Sequence, residues 1–168
     1  ICMSIFNCGE RLDKVIQSLL EQTFSDFELI IVDNGSSDGS AEIYNRYAEM
    51  DHRIKIYKIE TNVGSARGSG DAVSYAKGKY IMLSSGNYRW HKRFIENAFF
   101  QMEMNHQAVK CSGSGVDEIT GIVAIPPNTV GMTITEKVQM FLSENSNVGI
   151  WGLYRADVLK GRKKLYEP

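Results

Sequence analysis

The chain has no apolar run near the roughly 20 residues that cross a bilayer, and it lacks the charged start, apolar stretch and cleavage site of a secretory leader. It also lacks an excess of either charge. Lys and Arg number 19 against 20 Asp and Glu, which removes the basic footprint of a nucleic-acid binder. Cysteine is scarce. Cys2, Cys8 and Cys111 are odd in number and far apart, so they frame no disulfide and carry no zinc spacing. Free thiols fit a reducing compartment. His52, His91 and His106 are scattered, without a partner at metal-ligand spacing. No P-loop spacing occurs. Gly68-x-Gly70 and Gly113-x-Gly115 lack the third glycine of a dinucleotide fingerprint.

What is present reads as one folded domain. A length of 168 residues with 43% hydrophobic content suffices for a single core. The organising stretch is Leu29-Ile30-Ile31-Val32-Asp33-Asn34-Gly35-Ser36-Ser37-Asp38-Gly39. Four apolar residues without alternation predict a strand buried on both faces. Asp33 follows the apolar run, at the strand's carboxyl end, where open parallel sheets bind their ligands. Two readings stand side by side. Asp33 and Asp38 serve a site, or they only cap the turn; Ser36, Ser37 and Asp38 also offer caps for a following helix.

The remaining chain alternates strand and helix. Strands are expected over Ile1–Phe6, Phe27–Val32, Ile54–Ile59 and Tyr80–Leu83. Helices are expected over Glu10–Gln22, Gly39–Met50, Ala66–Ala76 and His91–Asn105. In the second helix Ile43, Tyr47 and Met50 share a face; in the third, Ala66, Gly70, Val73 and Ala76 do. The second half predicts strands at Ala108–Ser112, Ile122–Ile125 and Ile150–Tyr154, the second pairing back across a turn region Gly113–Gly121. Asp117 and Glu118 read as turn residues. Capping-box spacing predicts a helix over Ile134–Leu142, and Arg155–Leu159 a helical turn. Lys160, Arg162, Lys163 and Lys164 read as a solvated end.

Alternation of this kind predicts an α/β fold: a mainly parallel, Rossmann-like sheet flanked by helices, with a short antiparallel addition in the second half. Three strand ends then fall on one rim, Ser4–Asn7, Asp33–Ser36 and Ser84–Asn87. Arg67 opens a helix on the same rim. A cation in a first turn opposes the helix dipole, so Arg67 makes more sense serving an anion beside the free N–H groups.

Order and spacing of several stretches resemble a family-2 glycosyltransferase of the GT-A fold. They are Ile5-Phe6-Asn7, the run from Ser18 to Gly39, Asn62-Val63-Gly64-Ser65-Ala66-Arg67, and Ala76-Lys77-Gly78-Lys79-Tyr80-Ile81. The resemblance covers roughly the first 95 residues and is topological beyond Asn105. It implies a nucleotide-diphosphate sugar donor (UDP-, TDP- or GDP-sugar), a saccharide or lipid-linked acceptor, and an inverting displacement at the anomeric carbon. Ser4 and Phe6 then line the nucleoside pocket, Asp33 lies beside base and ribose, Asn34 replaces a second acid, and Arg67 faces base or diphosphate. A cytoplasmic protein follows, with peripheral attachment to the inner face of a membrane when the acceptor is lipid-linked.

This sequence departs from the family's pattern where an acid pair normally holds Mg²⁺ or Mn²⁺. Ser84-Ser85-Gly86-Asn87 stands there, with Ser85 and Asn87 facing the donor and no carboxylate for a hard cation. No metal ligand is therefore assigned. Either Arg67, Arg89, Lys92 or Arg93 supplies the missing charge, or the domain is a non-catalytic module that binds a nucleotide or partner. The catalytic base is expected beyond residue 168. The chain starts at Ile1 inside a strand, so it reads as a piece of a longer protein. Residues 1–105 form the nucleotide-sugar half and 106–168 the start of the acceptor half.

Overall fold

A computed structural model describes residues 1–106, 110–112, 115–117, 123–124 and 151–161. The elements in chain order are β1 (Cys2–Ile5), α1 (Arg11–Leu20), β2 (Leu29–Asn34), α2 (Ser40–Met50), β3 (Ile54–Ile59), α3 (Ser65–Tyr75), β4 (Tyr80–Ser85) and β5 (Tyr88–Trp90). Then follow α4 (Phe94–Met104), β6 (Lys110–Cys111), β7 (Gly115–Asp117), β8 (Val123–Ala124), β9 (Gly152–Arg155) and α5 (Ala156–Lys160). The main sheet has the order β3-β2-β1-β4-β9-β6. β3, β2, β1 and β4 run parallel, and β9 and β6 close the far side antiparallel. A second sheet, β5-β7-β8, is antiparallel throughout.

The unbroken apolar run of β2 is explained by two cores, one on each face. Leu29 and Ile31 enter the layer under α1, α2 and α4. Ile30 and Val32 enter the layer under α3 and α5. All four are at most 1% exposed, which at about 1.5–3 kcal/mol per large aliphatic side chain makes this strand a principal source of stability. β4 alternates likewise, Met82 to one layer and Ile81 and Leu83 to the other. Helix α1 buries Leu12, Val15, Ile16 and Leu19, the stripe its periodicity predicts.

Several expectations are corrected. β2 begins at Leu29 and runs through Asn34, so Asp33 and Asn34 are paired strand residues, opposite Lys58 and Ile59. α2 buries Tyr44 and Ser40, while Met50 is 69% exposed at its last turn. α3 turns Gly68, Ala72 and Val73 inward and leaves Ala66 exposed. It packs tightly on β1 at Gly68, where a Cβ would lie 2.3 Å from Ser4 Oγ. α4 starts at Phe94 after a turn over 91–93, and Tyr88–Trp90 before it forms β5, a strand too short to show periodicity. Gly113–Gly121 contains β7, so Asp117 lies in a strand opposite Tyr88. The Ile122–Ile125 strand, described as β8, pairs with β7 in the second sheet. The expected helix Ile134–Leu142 and the basic Arg162–Lys164 end lie outside the described residues. Among those residues no helix is long and apolar enough to cross a membrane.

Candidate functional site

The chain builds β1, β2 and β3 in one direction across the sheet and then places β4 on the other side of β1. A crevice is forced open where the order reverses, at the carboxyl ends of β1 and β4. A cleft of about 640 Å³ occupies that place. Ser4, Ile5 and Phe6 of the β1 end and Leu83, Ser85, Gly86 and Asn87 of the β4 end form its floor. Asn62, Gly64, Ser65, Ala66 and Ser69 form the wall beside β2 and α3. Tyr88 and Trp151 stand at the β9 side. Asn34 and Cys8 also reach it.

The cleft's loops are tied together by short polar contacts. Asn7, at φ +48°, donates its N–H to Ser36 Oγ at 3.0 Å, and its Oδ1 accepts from the Ser37 N–H at 2.9 Å. Gly9 donates to Asp38 Oδ2 at 2.7 Å, and Cys8 donates its N–H to Ser40 Oγ at 3.1 Å. Burial works to raise the Asp38 carboxyl pKa, but bonds from Ser40 and Gly9 outweigh it and hold the group below its ordinary value. Burial pushes the Cys8 thiol up, against the bond it makes to the Phe6 carbonyl. Gly86 is required here, because a Cβ would lie 2.4 Å from Cys8 Sγ.

Five of the seven residues singled out in the sequence line the cleft together: Ser4, Phe6, Asn34, Ser85 and Asn87. Phe6 is 45% exposed, an apolar face at the rim. Asp33 lies behind the cleft, 5% exposed. Its Oδ1 accepts from the Ser36 N–H and its Oδ2 from the Tyr44 hydroxyl, each at 2.9 Å. Burial, then the bond to Asp33, push the Tyr44 phenol pKa far up, so the Tyr44 hydroxyl stays the donor of this bond. Arg67 is exposed on the first turn of α3, outside the lining. Arg89, Lys92 and Arg93 do not line the cleft either, and Arg93 pairs with Glu96 at 3.0 Å.

Asn34 has a structural task. Its Nδ2 donates to Asn62 Oδ1 at 2.8 Å and to the Gly64 carbonyl at 3.2 Å, and its Oδ1 accepts from the Val63 N–H at 2.9 Å. Both amide hydrogens are used, so the side chain has none left for a base. What it holds is the entry to α3. Gly64, at φ +88°, precedes that helix, and no side chain among the described residues caps its first turn. The N–H groups of Ser65 and Ala66 are thus orphan donors at the cleft wall.

No Asp, Glu, Lys, Arg or His among the described residues lines the cleft. Nor do three His, Cys, Asp or Glu side chains gather as ligands anywhere among them. Ser85 and Asn87 offer a hydroxyl and an amide at the β4 end, which is not the anionic oxygen set that a hard cation takes. Sequence reasoning missed Cys8, Asn62, Tyr88 and Trp151 as cleft residues. Trp151 read as part of an apolar strand; its indole nitrogen was the available signal.

The reversal of strand order and the polar cleft at its centre define a doubly wound α/β domain built to take a ligand there. The family described as Glycosyl transferase family 2 matches residues 1–161, and the chain belongs to it. It is similar to the glycosyltransferase GlyG of Streptococcus pneumoniae serotype 4, 30% identical over 103 residues, covering 61% of this chain and 34% of that protein. It is also similar to an Escherichia coli protein, UDP-Glc:alpha-D-GlcNAc-diphosphoundecaprenol beta-1,3-glucosyltransferase WfaP. There the identity is 29% over 130 residues, covering 76% of this chain and 51% of WfaP. Among solved structures, S. aureus TarS 1–349 in complex with UDP superposes with a TM-score of 0.74 at 20% identity, over 100% of this chain and 50% of that one. The fold is GT-A. The chain spans about a third to a half of the length of the curated relatives it matches.

Proposed function

We propose that this domain binds a nucleotide-diphosphate sugar in the cleft between β1 and β4 and takes part in transferring the sugar, with inversion, to a saccharide or lipid-linked acceptor. The observation that carries the reading is the cleft's position at the switch point of a family-2 chain, with a rim of free backbone donors and an apolar face at Phe6. Phe6 and Ser4 receive the nucleoside. The first turn of α3 receives the diphosphate, where orphan N–H groups and the helix dipole favour negative charge. Arg67, exposed on that turn, swings over the same group. Asp33 and Asn34 act from behind, by holding the loops that shape the pocket.

In the reaction the acceptor hydroxyl attacks the anomeric carbon, and the bond from that carbon to the diphosphate oxygen breaks. The hydroxyl proton leaves to a base that we assign to none of the described residues. In our reading Ser84-Ser85-Gly86-Asn87 stands in place of the family's acid pair, so negative charge growing on the diphosphate is met by N–H donors and Arg67. No step is routed through a divalent cation. A second reading, a module that binds the nucleotide without turnover, is favoured by one fact: among the described residues no carboxylate lines the cleft. The three free thiols favour a reducing compartment for either activity. We read that as the cytoplasm, at the inner face of a membrane where the acceptor is lipid-linked.

Calorimetric titration with UDP, TDP and GDP, each with and without Mn²⁺, tests the proposal. Expected are binding of at least one nucleotide, the same affinity with Mn²⁺ present, and about tenfold weakening in Arg67→Ala, the effect of losing one charge-assisted contact. Strong Mn²⁺ dependence would overturn the metal-free reading. No binding of any nucleotide by the folded protein would overturn the site.

A further inference from the structure

Asp117 reads as a turn residue in the sequence, but the fold makes it a neighbour of the cleft. It stands in β7, and the ladder sets it opposite Tyr88 of β5, with Val116 opposite Arg89 and Gly115 opposite Trp90. Residues directly opposite in an antiparallel pair share a face of the sheet, their Cβ atoms about 4.5–5.5 Å apart. β5 shows which face is which. Trp90 is 5% exposed in the core, Tyr88 lines the cleft, and Arg89 between them is exposed. Asp117 therefore belongs to the inner face, at the register of a cleft residue, and Val116 to the outer one. That inverts the usual pattern of apolar inside and charged outside. A fold gives up local preference in this way mostly where function requires it.

Topology says what arrives there. The sheet order β2-β1-β4-β9 runs along the cleft, so the wall beside β2 and α3 and the Tyr88–Trp151 side lie across its floor from each other. The diphosphate, in our reading, lies at the first turn of α3. Inversion brings the nucleophile to the anomeric carbon from the face opposite the leaving group. The acceptor thus comes in along the Tyr88 side. There the ring centroids of Tyr88 and Trp151 are 6.0 Å apart and tilted by 46°, an apolar pair suited to the C–H surface of a sugar ring. A carboxylate only accepts hydrogen bonds. It takes hydrogens from sugar hydroxyls and repels a phosphate or a second carboxylate. Among the described residues no cation lines the cleft to offset that repulsion.

Resting on the reading that the cleft takes a nucleotide sugar and transfers the sugar with inversion, we propose that Asp117, with Tyr88 and Trp151, selects an acceptor whose receiving end is a neutral sugar. The carboxylate accepts from ring hydroxyls and the two aromatic rings cover C–H surface. An acceptor that ends in a uronic acid or a phosphate is turned away. Asp117 is a specificity-determining residue for the acceptor, apart from the nucleotide contacts at the β1 end.

The test saturates the protein with whichever of UDP, TDP and GDP it binds, then titrates methyl glucoside, methyl galactoside, methyl glucuronide and methyl galacturonide at pH 7 by saturation-transfer NMR. The uronides keep the ring and add a negative charge. Wild type, Asp117→Asn and Val116→Thr are measured, each first shown by thermal melting to fold. In the wild type at least one glycoside binds, and its uronide binds at least about fivefold more weakly. Asp117→Asn keeps the shape and removes the charge. It weakens the glycoside about fivefold, the share that charge adds to a hydrogen bond, brings the uronide level with it, and leaves nucleotide affinity unchanged. Val116→Thr, one residue along on the outer face, changes none of these. Uronides that bind the wild type as tightly as glycosides, or a preference that survives in Asp117→Asn, overturn the assignment while the donor-site reading stands. So does a nucleotide-saturated protein that binds no probe. A folded protein that binds no nucleotide overturns both.

Discussion

Replacing Asn34 with Asp swaps an amide for a carboxylate of nearly the same shape, and the structure says the change is costly. Asn34 is 1% exposed. Its Nδ2 makes the bonds to Asn62 Oδ1 and the Gly64 carbonyl; an aspartate oxygen in its place meets two acceptors. Asn62 cannot relieve this by turning its amide, because its Oδ1 also accepts from the Gly64 N–H at 2.8 Å. Asn62 Oδ1 and the Gly64 carbonyl keep donors in the Gly64 and Gly68 N–H groups, so the cost falls on the new carboxylate oxygen, buried against two acceptors without a donor of its own: about 1–3 kcal/mol for an unmet group, more for a charged one. The expected penalty is about 3–5 kcal/mol at pH 8, a large share of a typical domain's stability. Protonation returns one donor and removes the charge, so the folded-state pKa of the introduced carboxyl lies above its unfolded value of about 3.9. The sign follows by linkage. Relative to wild type, the variant keeps most of its stability below the unfolded pKa and loses it as pH rises through the raised folded pKa. Urea denaturation of both proteins at pH 5 and pH 8 measures this, with Asn34→Ala as a pH-independent comparison. An Asn34→Asp protein as stable as wild type at pH 8, or a penalty no smaller at pH 5, would refute the argument.

Other outcomes follow from single contacts. Gly68→Ala pushes a methyl against Ser4 Oγ at 2.3 Å and Ser4 Cβ at 3.2 Å; it should cost about 1–3 kcal/mol, and Ser4→Gly in the same chain should restore part of that in a thermal melt. Tyr44→Phe leaves Asp33 Oδ2 buried without its donor and should cost about 1–3 kcal/mol by denaturant titration, with nucleotide affinity falling less than stability. Asp51 bonds Arg53 through both carboxylate oxygens, chiefly a side-chain interaction that lowers its pKa to about 2. The stability this pair supplies is present above the ordinary carboxylate value and is lost as pH falls from about 4 towards 2; in Arg53→Gln the loss over that window should be smaller.

How legible was all this in the sequence? The β2 run and the α1 stripe could be read directly, because burial on two faces and burial on one leave different periodicities. The rim followed from strand ends and from the parallel order they imply. What could not be read are features that depend on a partner distant in sequence. Asp33 looked like a ligand contact until Tyr44, on the next helix, took its second oxygen. Asn34 looked like a base reader until Asn62 and Gly64 used both its hydrogens. β5 and β7 were missed because three residues carry no period; each exists through the other. Trp151 sits beside a strand that pairs antiparallel with β4, and only that pairing brings its indole to the cleft.

The position of β1 also has a consequence in time. It is a four-residue strand whose Cys2 pairs with Ile30 on one side and with Leu83 on the other. In a chain growing from its amino end, β1, β2 and β3 come together first, while the β4 edge of β1 stands open with its backbone donors and acceptors unmet. Pairing so distant along the chain is slow, since loop closure comes before any contact rewards it. β4 closes that edge, and β9 then closes β4. Pulsed hydrogen exchange during refolding should therefore protect Ile30 and Ile31 before Leu83, with Leu153 following. The cleft gains its Trp151 side only when β9 docks, so a half-made chain has the β1 end of the crevice without the β9 side.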